Sequence, residues 1–179
     1  MKYISLLRGI NVSGQKKIKM VDLKALYESL GLKDVSTYIQ SGNVIFSDGS
    51  KTEAALKQML ESAIEKRYSF KVPVSIITTR KLADILDANP FAKLDLEKEG
   101  TKVLISFLSE EPPKAKVQSL MGYVKEPEKL IVDGKQVYLH CPEGYGKSKL
   151  NNIFLEKKLG VEATTRNLKS VVKLRELSA

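Results

Sequence analysis

Cysteine, histidine and tryptophan are scarce in this chain, with one Cys, one His and no Trp among 179 residues. A lone Cys141 rules out an intramolecular disulfide and a zinc framework, and makes a reducing cytosol the natural compartment. With one imidazole, His140, and no Asp or Glu pair in the polar motifs, acid–base hydrolysis and metal catalysis lack their usual residues. No cofactor is implied. Long apolar runs are missing too. The opening Met1-Lys2-Tyr3-Ile4-Ser5 reaches Arg8 before it could act as a signal peptide, and no later segment approaches membrane-spanning length. The expectation is a cytoplasmic protein without a membrane partner.

What is present suffices for a core. Hydrophobic residues make up 42% of a chain whose length lies between one domain and two small ones. A net charge of +9 attracts nucleic acid, anionic surfaces and phosphorylated small molecules. The charge is unevenly spread. From Lys135 onward nine basic residues face four acidic ones, a net +5, whereas Asp84 to Asp133 carries seven against ten, a net −3.

Hydrophobic periodicity orders the elements. Tyr3–Leu7 reads as a strand, and Met20, Leu23, Leu26 and Leu30 as a helix stopped by Gly31-Leu32. The alternation of Val35, Thr37 and Ile39, then Val44-Ile45-Phe46 after Gly42-Asn43, predicts a hairpin. Thr52 caps a helix through Leu56, Leu60 and Ile64, and Pro73 makes the following Val72–Ile77 an edge strand. Thr79 is the expected cap of a connecting helix through Leu82 and Ile85. A second module opens with Val103–Leu108, passes through a helix bearing Val117 and Leu120, and forms a hairpin at Asp133-Gly134. Ser148 is the expected cap of a helix ending at Gly160-Val161, and a last helix runs through Leu168, Val171 and Leu174. The fold class is therefore α+β, two ferredoxin-like β-α-β-β-α modules packed together. Residues 1–78 form the first module, 79–100 a connecting helix and linker, and 101–179 the second module with a helical tail.

Six stretches together are highly specific: Leu7–Val12, Lys17–Met20, Thr37–Val44, Asn89-Pro90-Phe91, Gly146–Leu150 and Ala163–Asn167. Through them the chain resembles the bacterial family known as domain of unknown function 1697. The resemblance implies two packed α+β subdomains and no particular activity. Ser13 and the Leu168-Lys169 turn depart from the family pattern, where a glycine and an aromatic are expected.

Two polar stretches at predicted strand ends carry the functional expectation. Arg8 to Lys19 offers a guanidinium, the Asn11 amide, flexible Gly9 and Gly14, and three lysines, an inventory suited to phosphate or carboxylate oxygens. Gln40, Ser41 and Asn43 add further polar groups, against a bland reading in which such residues only build turns. In the second half, Gly144-Tyr145-Gly146-Lys147-Ser148 invites comparison with a phosphate-binding P-loop, but Cys141 stands where that pattern needs Gly and Pro142 removes a donor. Lys147 and Lys149 beside Ser148, at an expected helix start, oppose the helix dipole unless an anion lies close. Thr164-Thr165-Arg166-Asn167 reads first as a cap. His140 and Cys141 are neighbours on a strand and so face opposite ways, which leaves Tyr38 and Lys147 as proton carriers. Tyr3, Tyr38 and Phe46 lie on three strands in the layout of RNA-recognition domains, but the basic-aromatic signature of such domains is missing and packing explains them better.

The leading expectation is a binding protein for an anionic small molecule or nucleotide, held by Arg8, Gly9, Asn11, Gln40, Ser41, Asn43, Lys147, Ser148, Lys149, Arg166 and Asn167. Nucleic-acid binding through the basic C-terminal region, or an enzyme using Tyr38, Lys147 or His140, are the alternatives. Oligomeric state is not encoded in any motif.

Overall fold

The structure, a computed structural model, describes residues 1–179. The chain divides into two compact units, Met1–Ala83 with Leu174–Ala179, and Asp84–Lys173. Each unit holds one four-stranded sheet.

In the first, β1 (Lys2–Leu7), α1 (Met20–Ser29), β2 (Lys33–Tyr38), β3 (Asn43–Ser47), α2 (Glu53–Tyr68) and β4 (Val74–Thr78) follow one another, and α3 (Thr79–Asp87) starts directly after β4. The strands lie in the order β2-β3-β1-β4, every neighbouring pair antiparallel. Pro73 immediately precedes the edge strand β4, where its missing donor costs no ladder bond. The period-two face of the sheet meets the helical stripes in one apolar cluster. Tyr3, Leu7, Val44 and Phe46 pack there with Leu23 and Tyr27 of α1 and with Leu56, Leu60 and Ile64 of α2. Phe46 lies at its centre, stacked on Tyr3 at 5.7 Å and met edge-on by Tyr27 at 5.6 Å. Ser5 is the polar exception on this face, and its hydroxyl shares a 2.9 Å hydrogen bond with the Tyr27 hydroxyl, satisfying both buried groups. Burial pushes the Tyr27 phenol well above its ordinary range. After α1, Gly31 adopts φ +82°, the left-handed stop expected there, with Leu32 N–H donating back to Tyr27 O.

The second unit runs α4 (Leu96–Glu99), β5 (Val103–Leu108), α5 (Lys114–Met121), β6 (Lys129–Asp133), β7 (Gln136–His140), α6 (Asn152–Leu159) and β8 (Ala163–Asn167), with α7 (Leu168–Ser178) following β8 directly. Its strand order is β6-β7-β5-β8. Three sequence expectations are corrected here. Thr164-Thr165-Arg166-Asn167, expected as a cap, lies in the edge strand β8 (Ala163–Asn167) paired antiparallel with β5, so the module closes as β-α-β-β-α-β. Only its last residue caps: Asn167 Oδ1 accepts from Ser170 N–H at 2.8 Å. Helix α6 is capped by Asn151, whose Oδ1 accepts from Phe154 N–H at 2.9 Å, whereas Ser148 closes a tight turn by accepting from Leu150 N–H at 3.0 Å. At the start of α3 the capping hydroxyl is that of Thr78, not Thr79, accepting from Lys81 N–H at 3.2 Å.

The two units repeat one another along their central and edge strands, though the β2–β3 pairing carries a register shift that β6–β7 lacks. Ser5 stands opposite Val44 and Ile76, and Ser106 opposite Val137 and Thr165. Thr78 and Asn167, each the last residue of its edge strand, each cap the helix that follows. Glu61 of α2 accepts from Val74 N–H at 2.9 Å and Glu156 of α6 from Ala163 N–H at 2.8 Å, so in both units a helix carboxylate holds the first amide of the edge strand. The fold is therefore α+β with two similar β-α-β-β-α sheet modules.

Gly42, in the β2–β3 turn at φ +82°, has no room for a side chain: a Cβ there would lie 2.6 Å from Ile10 Cδ1 and 2.8 Å from Leu7 Cβ. Strain and overpacking then add, so Gly42→Ala is expected to cost about 2 kcal/mol or more in denaturant unfolding. A loss under half of that would mean that the turn relaxes freely.

Candidate functional site

At one end of the first sheet three loops meet: residues 8–19 after β1, 39–42 between β2 and β3, and 69–73 before β4. The register brings them side by side, because Leu6 stands opposite Asn43 and Leu7 opposite Val74. Backbone bonds continue the sheet outward, from Leu7 N–H to Gly42 O at 2.8 Å and from Arg8 N–H to Pro73 O at 3.0 Å. Asn11 then staples the loops. Its Nδ2 donates to Ile18 O at 2.9 Å and to Gln40 O at 2.8 Å, while its Oδ1 accepts from Ile18 N–H at 2.8 Å. Lys16 Nζ reaches Lys71 O at 2.8 Å. Asn43 is fully buried and donates to Tyr38 O at 2.9 Å and Ser41 Oγ at 3.0 Å. Asn11, Ser41 and Asn43 thus build the end, and its exposed surface includes Gly9, the tip from Val12 to Lys17, Lys19, Ile39, Gln40, Ser69 and Lys71. Arg8 is half-buried. Ile39 adopts φ +52°, a left-handed conformation that a β-branched residue rarely takes.

The internal repeat shows how much of this end the fold requires. Between the strand and the first helix the first unit uses twelve residues, 8–19, and the second only five, 109–113. The hairpin turn takes four residues, 39–42, against two, 134–135, and the last connection five, 69–73, against three, 160–162. Charge reverses as well. The first unit's loops carry Arg8, Lys16, Lys17, Lys19 and Lys71 and no acidic residue, whereas the second unit's carry Glu110, Glu111 and Glu162 against Lys135. Both helices that follow, α1 and α5, lack a side-chain cap. Lys19, at the capping position of α1, opposes the positive end of that helix, while Asp22 in its first turn complements it; the glutamates before α5 lie three or more residues ahead of that helix.

The remaining expected residues lie in the second unit. Lys147 and Lys149 are exposed, three or more residues ahead of α6, so the expected dipole conflict there does not arise. Arg166 Nη1 donates to Thr165 O at 3.0 Å, and burial brings its guanidinium down to about 10. Several C-terminal cations have local partners. Lys158 Nζ lies 4.3 Å from the Tyr123 ring centroid and donates to its hydroxyl at 2.9 Å, and Lys169 pairs with Glu97 at 2.9 Å. Sequence reading missed Lys71, which sits in a loop without a motif and is singled out only by the comparison of the two units. It also missed the part-buried chain from Ser106 Oγ to Thr165 Oγ1 to Asn152 Oδ1, each step 2.7 Å, which ties β5, β8 and α6 together.

Of the reactive candidates, His140 and Cys141 are committed elsewhere. Tyr3 and Phe46 face the helices in the core, the wrong side for stacking bases. His140 Nε2 is 2.9 Å from Glu99 Oε2, with Lys102 Nζ 3.2 Å from the other oxygen and the Phe91 ring beside the imidazole. The bond to His140, then that to Lys102, holds the Glu99 carboxyl below its ordinary value of 4.5. A lowered folded pKa contributes stability that is complete above the ordinary value and is lost as pH falls through the lowered one. The melting-temperature advantage of the native protein over Glu99→Gln should therefore hold near neutrality and shrink below about pH 4.5; an advantage independent of pH would refute the ion pair. Cys141 is buried, and desolvation pushes its thiol up to about 11. It should react with a disulfide reagent at neutral pH only at the rate of unfolding, and a fast burst of labelling in the native state would contradict this placement.

No helix is long and apolar enough to cross a membrane, and no cluster of His, Cys, Asp or Glu could hold a metal ion. No curated protein matches the chain. Among solved structures, the conserved bacterial protein SP0830 from Streptococcus pneumoniae is similar at 26% identity, with a TM-score of 0.77 over 99% of this chain and 98% of that one. The family described as protein of unknown function DUF1697 matches residues 1–138, well over half of the sequence. The chain belongs to this family.

Proposed function

We propose that the loop end of the first unit binds a phosphate-bearing or otherwise anionic ligand. The observation that carries this reading is the reversal of charge between equivalent ends of the two units. One fold needs only five residues and tolerates glutamates where the first unit spends twelve and places lysines. Cations gathered on one loop end repel one another, Lys19 also opposes the dipole of α1, and a bound anion relieves both. Asn11 and Asn43 act as scaffold for this surface, and Arg8, Gly9 and Gln40 stand beside the lysines on it. The sheet order in each unit, with its β-α-β-β-α-β succession, supports assigning both to the ferredoxin-like class.

The helix start gives a test with opposite signs. Lys19 occupies the capping position of α1 with extended backbone, φ −74° and ψ 134°, a conformation that suits serine. Lys19→Ser should raise unliganded stability by about 1 kcal/mol while weakening stabilisation by pyrophosphate at low ionic strength. Thermal melts with and without pyrophosphate check both halves. Stabilisation by pyrophosphate that is equal in the two proteins would remove Lys19 from the site, and no stabilisation by pyrophosphate or any nucleotide would remove the site itself.

A further inference from the structure

Resting on that reading, we infer that the partner of this end is the phosphate backbone of a nucleic-acid duplex, bound without regard to sequence. The first loop carries a small hairpin, in which Val12 pairs with Gln15 and every residue from Val12 to Lys17 is exposed. Lys17, Lys19 and Lys71 are exposed as well, on two loops that the bond from Lys16 to Lys71 O joins, and these loops carry no carboxylate. A duplex offers closely and regularly spaced charges to several such ammoniums at once, and each contact releases a condensed counterion.

Single strands are a poorer fit. They need rings on which unpaired bases stack, and the one aromatic residue of the three loops, Phe70, is half-buried and stacked on Tyr68 at 6.0 Å. Lysine ammoniums on flexible stems contact phosphates as point charges and carry little base discrimination. The uncapped amides of α1 add donors for one backbone oxygen. Glutamates at the equivalent place in the second unit would repel the same polymer, so one end of the chain and not the other is built for it.

The experiment is fluorescence anisotropy of a mixed-sequence DNA duplex across a salt series. Binding is expected with a log–log salt slope of about −3, one phosphate for each of Lys17, Lys19 and Lys71. Lys17→Gln and Lys71→Gln should each reduce the slope by about 1 and weaken a scrambled duplex as much as the original. Melting curves confirm that the variants are folded. No duplex binding, slopes that the variants leave unchanged, tighter binding of a single strand of the same length, or preference for vesicles rich in anionic lipid would each overturn the inference. If the duplex is ignored but pyrophosphate still stabilises the protein, the anion site stands and the nucleic-acid partner falls; if neither acts, both fall.

Discussion

Each unit is organised by a central strand hydrogen-bonded on both edges and buried along its length. Residues Tyr3–Leu7 of β1 and Val103–Leu108 of β5 are all buried. Such a strand cannot slip by one residue without turning its apolar face away from the helices, so its register fixes which side chains meet. The same constraint explains the one polar residue that each central strand places on its helix-facing side. Ser5 finds Tyr27 and Ser106 finds Thr165, because a buried hydroxyl without a partner would cost more than the hydrogen bond returns.

Once the central strands are fixed, the loops are where the units differ. Both solve the same connections, but the second does so with short, acidic segments and the first with long, basic ones. Part of the excess packs, since Ile10 and Ile18 of residues 8–19 and Val72 of residues 69–73 enter the apolar core of the first unit, but the lysines do not. The extra length is itself held by side chains, with Asn11 standing in for backbone partners that a loop of this shape cannot supply. Ordering a segment of twelve residues has an entropic cost, which the burial of Ile10 and Ile18 offsets in part, and the second unit closes the same topology without such a segment.

Much of the architecture was legible in the residues. Gly31 and Gly160 marked helix ends because a left-handed stop favours glycine, and Pro73 marked an edge because it has no amide to donate. β8 was not legible. Thr164-Thr165-Arg166-Asn167 lacks apolar alternation, and hydroxyl and amide side chains before a helix read equally well as a cap. Its strand character comes from pairing with β5, which is distant in sequence. The cap of α6 was misplaced for a related reason: Ser148 and Asn151 are both good caps, and only the packing of Leu155 and Leu159 decides where the helix begins.

For the site, the sequence alone determined the composition of the loops, because charge and glycine content are local properties: a basic segment without a carboxylate stays basic in any fold. It could not determine which of those groups remain available. Asn11, Asn43 and Ser148 looked like ligand donors, but Asn11 is held across the loops by Gln40 O, and Asn43 and Ser148 close turns of their own. Tertiary structure also decided that residues 8–19, 39–42 and 69–73 share one end of a sheet, through the antiparallel register of β1 with β3 and β4. Hydrogen-bond partners distant along the chain are selected by register and packing together, and no local pattern encodes them.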